Sequence, residues 1–313
     1  MGRVCRAEAP AKVILLGEHW VVHGGLALAA AVSLYARVVC EETGEAEVIV
    51  ESRELGVRER VYPPGGCRRL CGLGRSVEVL AAGSVAGARC RIESEIPVGA
   101  GLGSSAAVAV AFAAAYGCLL GRFDVEAVNA AAYESEKLVH GRPSGVDNTA
   151  AARGGFILYR RDEAPRSVEA RWTPRILVVD TGVSRSTRRA VERFTRFLRS
   201  LGPLGGELLA LNDRVVREAL EALRSRDREK LGGLMYLAHG MLNAMGVSHP
   251  VLEDIVQLAR AMGAPGAKLS GAGMGGVAIV LEPGGELEEA LRRRGYRVYS
   301  VKLGVPGVRV KGL

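Results

Sequence analysis

A chain of 313 residues, 48% of them hydrophobic, can bury a large core and divide into two domains of ordinary size. Its net charge of +8 would suit nucleic acid, yet no basic run is interleaved with aromatics and no nucleic-acid motif occurs, which excludes that partner. The longest apolar stretch, residues 106–120, falls short of the roughly 18 to 20 residues that cross a bilayer, and no apolar leader is visible, so a cytoplasmic protein without a membrane partner is expected.

Short β-branched runs alternate with longer helical patterns, which predicts a mixed α/β architecture. The first predicted strand, 12–16, lies within the segment APAKVILLGEHWVVHG (9–24). There Lys12, Glu18 and His19 sit on and just after an otherwise apolar strand. A lysine at the start of a buried strand needs a partner or a task, whereas His19 read alone also fits a hydrogen-bonded structural histidine. Strands at 36–42 and 47–52, a Gly/Pro loop at 63–66, a helix at 76–86 and a strand at 90–94 follow.

Next comes PVGAGLGSSAA (97–107), leading into an apolar helix over 106–120. Its three glycines let backbone N–H groups turn inward toward an anion, and the helix points its positive end the same way. Ser104 and Ser105 sit where a hydroxyl caps the helix or meets a metal on the phosphates; a serine-capped turn without ligand satisfies the same pattern. The spacing is G-x-G-x-G, unlike the dinucleotide fingerprint. Neither the Gly-Lys pair of a P-loop nor the protein-kinase triplets occur, so phosphate would be held in another way.

A helix is predicted over 125–140, with Asp124 as N-cap and Gly141 as its stop. In YESEKLVHGRPSGVDN (133–148), Glu136 lies in the last turns of that helix and Asp147 in the Gly/Pro/Ser loop beyond it. One such carboxylate can hold Mg²⁺ while the other takes a proton from a hydroxyl. Glu134 competes with Glu136, and a surface ion pair would account for either. After a strand at 155–160, the polar stretch 161–174 with its two prolines is a boundary or a hairpin connection. Read as a boundary, it gives domains 1–170 and 171–313 with the site between them.

The second half reads strand 175–180, helices 187–200, 206–224, 228–245 and 251–262, strand 276–281, helix 286–294 and strand 297–303. A second glycine segment, KLSGAGMGG (268–276), precedes the strand at 276. Arginines in the 187–200 helix draw the stripes of a solvated face, and a positive field also attracts anionic substrates. Of six cysteines only Cys67 and Cys71 are close, and no metal set forms around them; thiols are expected, with a Cys67–Cys71 disulfide left open. Gln257 is the single glutamine, which fits a thermophile or, equally, GC-rich codon usage.

In this order, the four segments resemble the superfamily of galactokinase, homoserine kinase, mevalonate kinase and phosphomevalonate kinase, over residues 9 to about 281. PVGAGLGSSAA looks like its phosphate-binding motif and KLSGAGMGG like its C-terminal glycine motif. The segments around Lys12 and Asp147 are most similar to mevalonate kinases, particularly the shorter archaeal type. The resemblance implies an α/β, two-domain fold: an N-terminal domain like domain 2 of ribosomal protein S5 and a ferredoxin-like C-terminal domain. It implies ATP and mevalonate as small-molecule substrates, with Mg²⁺ as cofactor.

Residue by residue, it makes Asp147 the catalytic base and Lys12 its partner at the reacting oxygen. Pro97, Gly99, Ala100, Gly101, Leu102, Gly103, Ser104, Ser105 and Ala106 match the nucleotide-binding loop, and Ser105 and Glu136 the Mg²⁺ ligands. Glu18, His19 and Thr187, the last within DTGVSRSTRRAV (180–191), match substrate-contacting positions, with Arg185 or Arg188 nearby for the substrate carboxylate. There are departures: Ala11 replaces a common glycine and Trp20 a small residue, which bears on acceptor specificity. Met274 interrupts a fuller glycine run, which bears on the dynamics of that loop. Phosphomevalonate, homoserine and the C3 hydroxyl of mevalonate are competing acceptors, and a non-catalytic ATP or metabolite sensor is the competing class. Oligomeric state, a homodimer included, is left open.

Overall fold

Two separate sheets organise the chain, in a computed structural model that describes residues 2–141, 143–184 and 186–311. The first sheet is built on two long strands, β1 (Val4–Leu16) and β2 (Leu26–Thr43), paired antiparallel. β1 alternates exposed and buried residues up to Glu8, then is buried almost continuously as helices cover its other face. β3 (Val48–Ser52) and β4 (Val57–Tyr62) form a hairpin at one edge. β5 (Gly87–Ser94) lies between β2 and β3, antiparallel to the first and parallel to the second.

Helices α1 (Cys71–Ala81), α2 (Ser104–Leu119), α3 (Val125–His140) and α4 (Val146–Arg153) pack over this sheet and one another. α2 is rich in alanine and valine and is buried on every side from Ala106 except at Val108, as expected of a helix apolar all round. β6 (Phe156–Arg160) pairs with the first half of β2 and turns back through β7 (Arg166–Val168). The polar stretch 161–174 therefore contains a hairpin, one of its two sequence readings.

The second sheet is four-stranded and antiparallel. Its strands are β8 (Arg175–Asp180), β9 (Gly266–Ser270), β10 (Val277–Leu281) and β11 (Arg297–Lys302), in the order β11-β8-β10-β9. That is the ferredoxin-like order. The first crossover is expanded to four helices: α5 (Thr187–Ser200), α6 (Pro203–Ser225), α7 (Arg228–Ala244) and α8 (Pro250–Ala261). The second is a single helix, α9 (Gly285–Arg293). β12 (Arg309–Lys311) returns to the first sheet beside β1.

Helices α3 and α5 and strand β8 have the bounds expected from sequence, and Asp124 caps α3 by accepting the Ala127 N–H at 2.7 Å. The structure adds β4, β7, β9, β12 and α4. All six cysteines are paired, as Cys5–Cys118, Cys40–Cys90 and Cys67–Cys71, which corrects the expectation of thiols. The reason is register: Cys5, Cys40 and Cys90 stand side by side on β1, β2 and β5, and Cys118 reaches down from α2. Pairs 113 and 50 positions apart have no local sequence signal.

Candidate active site

The site forms where β1, the glycine loop and three helix ends meet. The β1–β2 ladder is irregular between Pro10 and Ala11 and again between Ile14 and Leu16, so Lys12 lies on a segment bounded by two register shifts. Such irregularities re-aim side chains. The Lys12 backbone N–H donates to Leu102 O at 2.9 Å, fastening the strand to the glycine loop, and Nζ donates to Gly101 O at 3.4 Å. Nζ also lies 3.2 Å from Asp147 Oδ1; Lys12 is nearly buried while Asp147 keeps 39% of its side chain open.

Asp147 is not in a loop, as its Gly/Pro/Ser surroundings suggested, but in the first turn of α4 behind the left-handed Gly145. A carboxylate there is favoured by the helix N-terminus. Asn148 beside it donates to Asn129 Oδ1 of α3 at 2.6 Å, which fixes α4 relative to α3.

Gly99, Gly101 and Gly103 all have positive φ, so the loop reverses at alternate residues. At Gly103 the requirement is double: φ is +73°, and a Cβ would stand 3.0 Å from Lys12 Cγ and 3.5 Å from Asp147 Oδ2. Ala100 and Leu102 turn into the core, whereas Pro97, Gly99, Gly101, Gly103, Ser104, Ser105 and Ala106 line the cavity. Ser105 Oγ donates to Glu136 Oε1 at 2.5 Å, and His140, one turn on, approaches Oε2 at 3.6 Å. Burial pushes the Glu136 carboxyl up. Ser105 and His140 oppose that shift, and the Asp147 charge adds to it. Glu134 instead pairs with Lys137 at 2.6 Å.

Glu18, His19 and Thr187 line the same cavity, of about 740 Å³. Glu18 is buried and forms an ion pair with Lys268 of β9. Burial raises its carboxyl and lowers the lysine, and the mutual attraction opposes both shifts. His19 Nε2 lies 2.8 Å from Ala272 O, and its ring stacks on Phe194 of α5, which Trp20 meets edge-on. Thr187 opens α5 with Ser186 as its cap. Arg188 points to solvent and pairs with Glu192 at 2.8 Å, and Arg185 lies outside the described residues.

Sequence reasoning missed Lys268 and His140. The spacing of His140 four positions after Glu136 was a usable signal, whereas the partner of Lys268 lies 250 positions away. It also missed the apolar part of the cavity lining, at Leu55, Leu70, Leu73, Ile92 and Val108.

A cavity that brings a glycine loop at a helix N-terminus together with a Lys–Asp pair is the equipment of phosphoryl transfer to a small molecule. The GHMP kinases N terminal domain matches residues 72–155 and the GHMP kinases C terminal domain residues 219–299. The chain belongs to the GHMP kinases and is a small-molecule kinase. Among curated relatives, mevalonate kinase of Aeropyrum pernix is 41% identical over 93% of this chain and 92% of its own. That of Pyrococcus furiosus is 37% identical over 91% of each. Among solved structures, L. major mevalonate kinase in complex with R-mevalonate superposes with a TM-score of 0.79 at 29% identity, covering 96% of both chains. Methanococcus jannaschii mevalonate kinase has the same fold, with a TM-score of 0.81 at 24% identity over 95% of this chain and 98% of its own.

Proposed function

We propose that this kinase transfers the γ-phosphoryl group of ATP to the primary C5 hydroxyl of mevalonate, giving 5-phosphomevalonate for isoprenoid synthesis. The observation that carries the reading is the Lys12–Asp147 pair at 3.2 Å, set against Gly103 of the loop, in a chain so similar to mevalonate kinases. Asp147 accepts the hydroxyl proton as the oxygen bonds to phosphorus and the bond to the ADP oxygen breaks. Lys12 steadies the charge that develops on the attacking oxygen. The glycine loop and the start of α2 offer N–H groups to the phosphates. The apolar lining at Leu55, Leu70 and Ile92 suits a nucleotide base, and Glu18, His19 and Thr187 are assigned to the acceptor.

Mg²⁺ fits the donors present. Ser105 Oγ and Glu136 Oε1 are two hard oxygens 2.5 Å apart, one of them on a carboxyl that burial pushes up and that a cation would favour in its charged form. Among the described residues no cluster of three or more His, Cys, Asp or Glu gathers to hold a metal, so Ser105 and Glu136 are the two groups proposed to hold it. When bound there, the ion neutralises phosphate charge.

Residues 1–170 are taken as the nucleotide-binding domain and 171–313 as the ferredoxin-like one. The end of β7 and the start of β8 in different sheets support that division, although β12 crosses back. No helix among the described residues is long and apolar enough to cross a membrane. A cytoplasmic site, where ATP is available, would make three disulfides unusual outside hyperthermophiles.

A panel of mevalonate, phosphomevalonate and homoserine with an ADP readout tests the assignment. Phosphate on the C5 oxygen of mevalonate is expected. Phosphate on the C3 oxygen, or faster turnover of homoserine, overturns it.

A further inference from the structure

The three disulfides sit in different surroundings. Cys5, Cys40, Cys90 and Cys118 are buried in the core against the first sheet, whereas Cys67 and Cys71 are both partly exposed. Cys67–Cys71 also spans only four positions, so it removes less entropy from the unfolded chain than the bridges that span 50 and 113. Its effect is local. It closes a ring across the turn that enters α1, with Cys71 as the first residue of the helix.

That ring carries part of the cavity wall. Arg69 and Leu70 lie inside it, Gly72 and Leu73 directly follow it, and all four line the cavity. Two further links hold the same turn. The Glu59 carboxylate accepts the N–H groups of Arg68, Arg69 and Leu70 at 3.1, 3.0 and 2.9 Å, and Arg69 Nη1 donates to Leu55 O at 3.4 Å. Leu55 follows β3 and lines the cavity too. Beyond the ring, α1 is pressed against α3, since a Cβ at Gly72 would stand 2.8 Å from Ser135 Oγ. The helix is thus fixed by packing, whereas its entry turn, with no side-chain cap at Leu70, depends on the bridge and on Glu59.

We propose that the Cys67–Cys71 bridge is a positioning element for the nucleotide. Closed, it holds Arg69 and Leu70 in place as a wall for the base; opened by a dithiol, it loosens that wall and weakens ATP binding. One thiolate of the dithiol attacks a bridge sulfur and the S–S bond breaks. The second thiolate then closes the reagent into a cyclic disulfide, and its two protons end on Cys67 and Cys71. The Lys12–Asp147 pair, on β1 and α4, lies outside the ring, so the chemistry and the alcohol are spared. This inference rests on the reading of the apolar lining as the place of the base.

The test compares untreated enzyme with enzyme exposed to dithiothreitol under native conditions, where alkylation and mass measurement show that only Cys67 and Cys71 have become thiols. The alcohol is whichever one the wild-type enzyme turns over fastest. KM for ATP is expected to rise about three- to tenfold, as the competent arrangement of the turn becomes a minor fraction. Both kcat and KM for the alcohol should stay within about twofold, and reoxidation should restore the first value. The double variant Cys67→Ser with Cys71→Ser should show the raised KM without dithiol and no response to it. An ATP KM unmoved by opening the bridge, or equal rises in both KM values, overturns the proposal. Should dithiol open the buried bridges as well, the double variant decides by the same two KM values. Leu55→Ala, outside the ring, tests the place of the base by itself. An unmoved ATP KM there refutes that reading, whereas a raised one with no effect of opening the bridge refutes the bridge alone.

Discussion

Two lysine–carboxylate pairs share one cleft and differ in almost everything else. Lys12–Asp147 is open on the aspartate side, at 39% exposure, while Lys268–Glu18 is sealed at 0% and 1%. Water and substrate can reach the first pair, so its attraction is weakened and its proton can move. The second pair interacts in a low dielectric, where removing one partner strands a charge. Openness suits a group that must exchange a proton; sealing suits a group that must not shift.

The largest effect should come from breaking the open pair. Asp147→Asn is expected to lower kcat by about 10²- to 10⁴-fold. Because Asp147 is 39% exposed while Lys12 is nearly buried, the variant should lose some unfolding free energy, but less than a variant that breaks the sealed pair. A large drop in stability with kcat within threefold of wild type would reverse the roles of the two pairs. Lys268→Met should do the opposite to the fold, destabilising it by roughly 3 to 5 kcal/mol in denaturant titrations. Crowding the open pair is a finer perturbation. Gly103→Ala forces a left-handed alanine against Lys12, and about a tenfold loss in kcat/KM for ATP is expected.

Glu136 stands between the two extremes, and Glu136→Gln sharpens the comparison in two measurements. The Mg²⁺ concentration for half-maximal rate should rise several-fold, because the amide keeps the shape but loses the charge. In the ligand-free protein the sign is reversed. Burial holds the folded carboxyl above its ordinary value, so the folded state binds more protons than the unfolded one between the two values. Wild-type stability is therefore fullest below the ordinary carboxyl range and falls as pH rises through the folded value. Glu136→Gln should gain on wild type in thermal unfolding from pH 4 to pH 7; a gap independent of pH would show that the carboxylate is not strained. The smallest effect belongs to Arg188→Ala, whose solvent-facing side chain should leave both KM values within about twofold.

The open pair was legible in sequence because each member sits in a segment of unusual composition: a lysine in an apolar strand, and an aspartate after Gly-Arg-Pro-Ser-Gly. Even so, the eight residues of α4 were hidden by that same Gly/Pro/Ser context. The sealed pair was not legible. β9 is five residues long with a lysine at its centre, and what makes that lysine tolerable is a glutamate from the far end of the chain. β4 was hidden for a different reason, since its sequence VRERVY reads as polar although it pairs along a sheet edge. α3, with a side-chain cap at one end and a glycine at the other, carries both its boundaries within itself. Local signals were readable; partnerships across the fold were not.

The three disulfides all fall within the first 118 residues, and β8 to β11 have none. In the loop-entropy picture, a bridge spanning about 100 residues raises the free energy of the unfolded chain by roughly 4 to 5 kcal/mol, and one spanning 50 by slightly less. That entropy is removed only from the part that builds the first sheet. Heating should therefore loosen the molecule unevenly, with the ferredoxin-like half giving way while the other half remains tethered. Reducing agent would bring the two melting events together. The glycine loop and Lys12 would then outlast the β9 surface against which Glu18 rests, and heated enzyme would lose its grip on the alcohol before its grip on the nucleotide.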